Sequence, residues 1–225
     1  MSIVELLVGV TIGLFILLGA TTMFANNITN SRQILLESRI NQDLRATMDL
    51  LVREVRRGGY WGNSIAGATA SATSNGASES NPYAAVAVSG SEIGYAYTRD
   101  TTENNVLDVN SEQFGFKLNT TSHAVQMLLG GTWQTLTNTD IVRITALTIT
   151  PTVTTIDIRD ACAKTCTDTV ISPTVPTDTQ NCPRVKVRTY NVVLTGQSVS
   201  NSAIIRTLES QVRVRNDAMA GVCPL

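Results

Sequence analysis

From Ile3 to Phe24 the chain reads "IVELLVGVTIGLFILLGATTMF", and Glu5 is its only ionisable side chain before Arg32. A helix needs about 20 apolar residues to cross a bilayer. A segment this long and this apolar must lie in lipid or among others of its kind, and the rest of the fold has to accommodate it. It is too long for the core of a signal peptide, and no basic region precedes it. An ordinary anchor orients itself with nearby Lys or Arg. The expectation is therefore a retained anchor from which a basic leader has been removed ahead of Met1. A carboxylate at bilayer depth costs about 2.5–3.5 kcal/mol on insertion scales, so Glu5 needs a partner or a route to the headgroups.

The helical pattern continues past the apolar run. Leu36, Ile40, Leu44, Met48, Leu51 and Val55 recur every three or four residues and form one apolar stripe. Glu37, Arg39, Asp43, Arg45, Asp49, Arg53 and Glu54 occupy the opposite side in this reading, with Arg39–Asp43, Arg45–Asp49 and Asp49–Arg53 as four-apart ion pairs. No proline interrupts residues 1–57, and Gly58-Gly59 is the expected stop. Such a helix would be about 85 Å long at ~1.5 Å per residue, apolar all round in its first half and amphipathic in its second.

This pattern resembles the type IV pilin family. "SIVELLVGVTIGLFILLG", with glutamate at position 5, keeps the register of a mature pilin N-terminus, and "RATMDLLVREVRRGGYWG" (Arg45–Gly62) resembles the PilW-like subgroup. The resemblance implies a prepilin cleaved and N-methylated at its first residue, held in the inner membrane before assembly and later exported in an extracellular filament. It also implies partners: other pilin subunits and the pilus assembly machinery. The Met1 amine and Glu5 of neighbouring subunits would meet and set the axial register. Gly9, Gly13 and Gly19 are candidate points for close helix packing or local loosening. Thr22 stands where many major pilins carry proline.

Residues 62–81 are rich in Ser, Ala, Thr and Gly and read as a surface connector. From residue 84 the hydrophobic period changes to two. Short strands are expected in 84–88, 91–98, 112–118, 123–129 and 132–136, and longer ones at Asp140–Thr150, Thr152–Asp160, Arg184–Thr195 and Ala203–Arg215. In the last, Leu208, Val212 and Val214 alternate with charged and polar residues, so one face is buried. The expected fold is α+β: a long N-terminal α-helix packed through its stripe on an antiparallel β-sheet head, the layout of the pilin fold. Four segments follow: 1–25 as membrane or filament-core helix, 26–58 as amphipathic helix, 59–83 as connector and 84–225 as a cysteine-stapled head.

The four cysteines, Cys162, Cys166, Cys182 and Cys223, are candidates for disulfides in an oxidising compartment. Three connectivities are open, and the expected strand ends favour Cys162–Cys182 with Cys166–Cys223. Zinc at Cys162-x-x-x-Cys166 is a competing reading, disfavoured because the one histidine, His123, lies elsewhere. The expectation is no metal and no cofactor. Asp108, Asn110 and Glu112, with Asp100, Glu103 and Asn104, carry oxygen ligands but lack an EF-hand pattern, and such clusters more often form turns. Tyr60-Trp61 reads as a hydrophobic cap over the helix end.

No nucleophile has an evident base, so the chain does not read as an enzyme. With 17 basic and 18 acidic residues it has no nucleic-acid footprint. The leading expectation is a structural pilus subunit, of the shaft or PilW-like and minor. The alternatives are a minor pseudopilin of a type II secretion system and a membrane-tethered binding module presenting loop 62–81 or loop 161–183.

Overall fold

The computed structural model describes residues 2–64, 81–166 and 182–220. Its first element, α1 (Ile3–Val55), is a single helix of 53 residues, about 80 Å long at ~1.5 Å per residue. The absence of proline permits that length, and glycines end it. Gly58 donates to the Val55 carbonyl at 3.1 Å, and Gly59, at φ 75°, donates to Ala96 O at 2.8 Å. A Cβ at Gly59 would come within 3.0 Å of Arg188 Nη2, so this turn favours glycine on conformational and steric grounds.

The head contains two antiparallel sheets. Strands β1 (Val86–Ser89), β2 (Glu92–Ala96), β3 (Gln113–Asn119), β4 (Ala124–Leu129) and β5 (Thr132–Thr135) form a meander in chain order. The second sheet has β7 (Arg184–Ser198) at its centre. One side of β7 pairs with β6 (Val142–Asp157), and the other with β8 (Ile205–Arg213) and the short β9 (Ala218–Ala220). Helix α1 lies against β7 and β8, while the meander packs near β6. Ile40, Leu44, Leu51 and Val55 of the helix join Ile93, Phe114, Phe116, Ile144, Val192, Leu194 and Val212 in one core. The stripe thus meets the period-two face of the last long strand, as its sequence implied.

Four details differ from the sequence reading. Asp140–Thr150 and Thr152–Asp160 are one strand, because Pro151 lies on the edge strand β6, where a missing amide proton is tolerated. The disulfide among the described residues joins Cys166 to Cys182, with Cα atoms 5.7 Å apart, so the favoured Cys162–Cys182 pairing is wrong. A short 3-10 turn at Arg159–Ala161 intervenes between β6 and the cysteines, so the strand end does not fix which of them faces Cys182. Cys162 is also disulfide-bonded, and Cys223 lies outside the described residues. The three four-apart ion pairs on α1 are not formed, Arg53 turning instead to Glu54 at 3.3 Å. Finally, Glu54 is buried rather than solvated.

Candidate functional site

Every residue from Ser2 to Leu35 is exposed, although the helix holds an 18-residue window of mean hydropathy 2.5 that could cross a membrane by length and composition. Ile3 is 79% exposed and Phe15 75%. A soluble chain does not leave this much contiguous apolar surface bare. Within the run, Thr11, Thr21, Thr22 and Thr29 each donate their hydroxyl to a carbonyl three or four residues back, at 2.9 Å. In lipid or in a packed helix bundle these internal bonds satisfy groups that water would otherwise serve.

Glu5 sits in the first turn, where the helix dipole favours a carboxylate. Leu36, the first helix residue to pack against the core, is 31 residues further on, about 47 Å along the axis at ~1.5 Å per residue. No cation of the described head reaches Glu5, so any counter-charge comes from its own terminus or from another molecule. Met1 lies outside the described residues. A Cβ built at Gly9, Gly13 or Gly19 meets nothing within 4 Å, so none of the three is required by packing within this chain.

The other end of α1 is tied to the head by hydrogen bonds and packing. Glu54 is 7% exposed; it accepts from Arg53, from Arg57 Nη1 at 3.2 Å and from the Tyr97 hydroxyl at 3.4 Å. The Arg57 guanidinium lies 4.3 Å from the centroid of the Tyr97 ring. Burial raises the Tyr97 hydroxyl above its ordinary pKa, against the attraction of Arg57. Arg215 donates its amide to Arg56 O at 3.1 Å, and the Asn216 side chain donates to Gly58 O at 3.2 Å. Buried Arg188 bonds Ala84 O and Asn216 O, joining the β1 approach to the loop after β8. Glu37 meets Arg206 at 2.6 Å at the lower end of the contact.

The acidic loop before β3 holds itself in place. Glu112, fully buried, accepts from the backbone of Arg99 and Asp108 and from the Tyr83 hydroxyl at 3.3 Å. Glu103 receives Tyr83 Oη at 3.0 Å and the amides of Gly62 and Asn105. Burial raises Glu103, yet these hydrogen bonds outweigh it and leave its pKa below the usual carboxylate range. Asp108 accepts from Asn110 and Ser111 in a turn. Trp61 is buried beside Tyr83 and Ala96 and donates to Asn105 Oδ1 at 2.9 Å, whereas Tyr60 is half exposed.

Sequence reasoning overlooked the arginines at the helix end. Arg53, Arg56, Arg57 and Arg215 line an open groove of ≈ 540 Å³ with Asp49 and Val52. The run "REVRRGG" was the available signal, but only the return of β8 adds Arg215 to it.

An exposed membrane-length helix packed through its second half on an antiparallel head defines a pilin-like subunit. The chain belongs to the family of prepilin peptidase-dependent protein B, whose model matches residues 33–214. That match begins after the apolar run, so it is independent of the resemblance carried by residues 2–19. No curated protein and no solved structure matches the chain. The family is related to type IV pili and pseudopili, and the apolar helix fits membrane anchoring before assembly.

Proposed function

We propose that this chain is a structural subunit of a type IV pilus, inserted into the filament through residues 1–25 while residues 26–58 carry the head. The observation that carries this reading is the bare apolar half of α1, which no other described residue covers. Burial against the same segment of neighbouring subunits removes that surface from lipid or water without requiring another protein. Glu5 then pairs between subunits with the amine at Met1 exposed by processing, an arrangement supported by its distance from every head cation. Gly9, Gly13 and Gly19 allow neighbouring helices to approach. Cleavage and N-methylation at Met1 belong to the same proposal, as does export from the inner membrane to the cell surface. The stretch Arg45–Gly62 resembles the PilW-like subgroup, and the same helix serves a subunit that builds the shaft or a minor, priming one. A minor pseudopilin would use the same helix, and the family match favours neither.

Glu5→Ala tests the assembly reading. The variant should remain membrane-anchored and folded but be lost from sheared filaments. Unchanged incorporation would refute the pairing between subunits. The wild-type chain's abundance in those filaments separates the roles: a shaft subunit is plentiful, while a priming subunit is scarce and its deletion abolishes piliation.

A further inference from the structure

We propose that the groove formed by Arg53, Arg56 and Arg215 is a docking surface for the Asp43–Asp140 corner of a second copy of this chain, a contact that rests on the shaft form of the filament reading above. Among the described residues, Arg56 and Arg215 have no side-chain hydrogen bond or ion pair, and the backbone bond between them fixes their side chains on adjacent elements. Arg56 and Arg215 also line a second groove with Arg213, Thr189 and Gln211, so the cationic surface extends from α1 onto the sheet. The nearby carboxylate of Glu54 is turned inward and already shared by Arg53 and Arg57. Asp217 is engaged by Arg213 at 2.8 Å. Asp49 also lines the groove, and against Arg53, Arg56, Arg57 and Arg215 it leaves the face with a net positive charge.

The complementary charge lies on the opposite flank of the same helix. Asp43 accepts the Asn138 amide at 3.3 Å, which brings the 138–141 turn and exposed Asp140 against α1. Neither Asp43 nor Asp140 has a Lys or Arg within ion-pair distance among the described residues. Asp43 and Arg56 are 13 residues apart, which on an α-helix is about 20 Å along the axis and about 140° around it. A patch and its complement at different heights on different flanks make a heterologous contact, which extends into a filament when successive copies are displaced along the helix axis. Lipid headgroups do not fit the groove. Arg53 lies 29 residues beyond Phe24, about 44 Å above the apolar run.

The test is a charge exchange in the full-length chain, read as subunit incorporated into sheared filaments. Arg215→Asp and Asp140→Arg should each lower incorporation about tenfold, the scale of a specific charge pair across an interface. The double variant should restore it, while the thermal midpoint of every variant stays at the wild-type value. Independently, benzoylphenylalanine in place of Arg56 should crosslink to a peptide containing residues 138–141 of another copy. If wild-type chain is present in filaments but the exchange fails to restore incorporation, or the crosslink leads to a different protein, the contact is refuted and the filament reading stands. If wild-type chain is absent from filaments, both fall.

Discussion

Gly196 of β7 lies directly beneath Leu44 of α1: a Cβ at position 196 would stand 2.9 Å from Leu44 Cδ2 and 2.8 Å from Val142 Cγ2. Helix and sheet therefore meet at this point without an intervening side chain. The contact determines how closely the helix lies on the head, and so where the exposed half of α1 emerges.

Gly196→Ala should force these neighbours apart and destabilise the head by about 1–3 kcal/mol, the usual cost of overpacking. Thermal unfolding of the full chain in detergent measures it. Leu44→Ala should cost less in the Gly196→Ala chain than in the wild type, since it removes one of the two clashing groups. Equal stability of Gly196→Ala and wild type would show that the helix is not seated as described.

The disulfide prediction separates the three connectivities. Non-reducing peptide mapping should recover Cys166 joined to Cys182, and the remaining pair, Cys162 and Cys223, joined to each other. The double variant Cys166→Ser with Cys182→Ser should lose about 2–4 kcal/mol, the scale expected when a loop closure is removed.

Two tyrosines should respond oppositely to losing their hydroxyls. Tyr95 Oη is buried with no partner among the described residues, so Tyr95→Phe should leave stability unchanged or raise it. Tyr83 Oη bonds Glu103 and Glu112, so Tyr83→Phe should cost about 1–3 kcal/mol by leaving buried Glu112 short of a donor. A comparison of the two unfolding midpoints decides the matter.

Asp157 should titrate at about 2, held below its ordinary value chiefly by hydrogen bonds from Arg159. A depressed carboxylate stabilises the fold above its unfolded pKa of about 3.9 and loses that contribution as pH falls toward about 2. Because the pair is partly exposed, its effect on stability should be small. Carboxyl-detected NMR should place the midpoint, and Arg159→Ala should move it up toward the unfolded value.

Helix α1 was legible in the sequence because its signals are local. The apolar run, the three-and-four spacing of Leu36 to Val55 and the glycine pair at its end all act between near neighbours. The strands from residue 84 were legible for the same reason, down to the buried side of Val212 and Val214. Glu54 was misplaced because its charge suggested solvent. Its burial depends on Tyr97, 43 residues away, and on Arg57 bending back over the ring.

By itself, then, the sequence determined that a membrane-length helix continues into an amphipathic one and that an antiparallel head receives its stripe. Period and composition are properties of adjacent residues, and they settle which face must be buried. Only the tertiary structure decided that Pro151 lies on an edge, that Cys166 takes Cys182, that Gly196 admits Leu44, and that Arg215 returns to Arg56. Each of these depends on where distant strands arrive in space, and a one-dimensional pattern does not encode that distance.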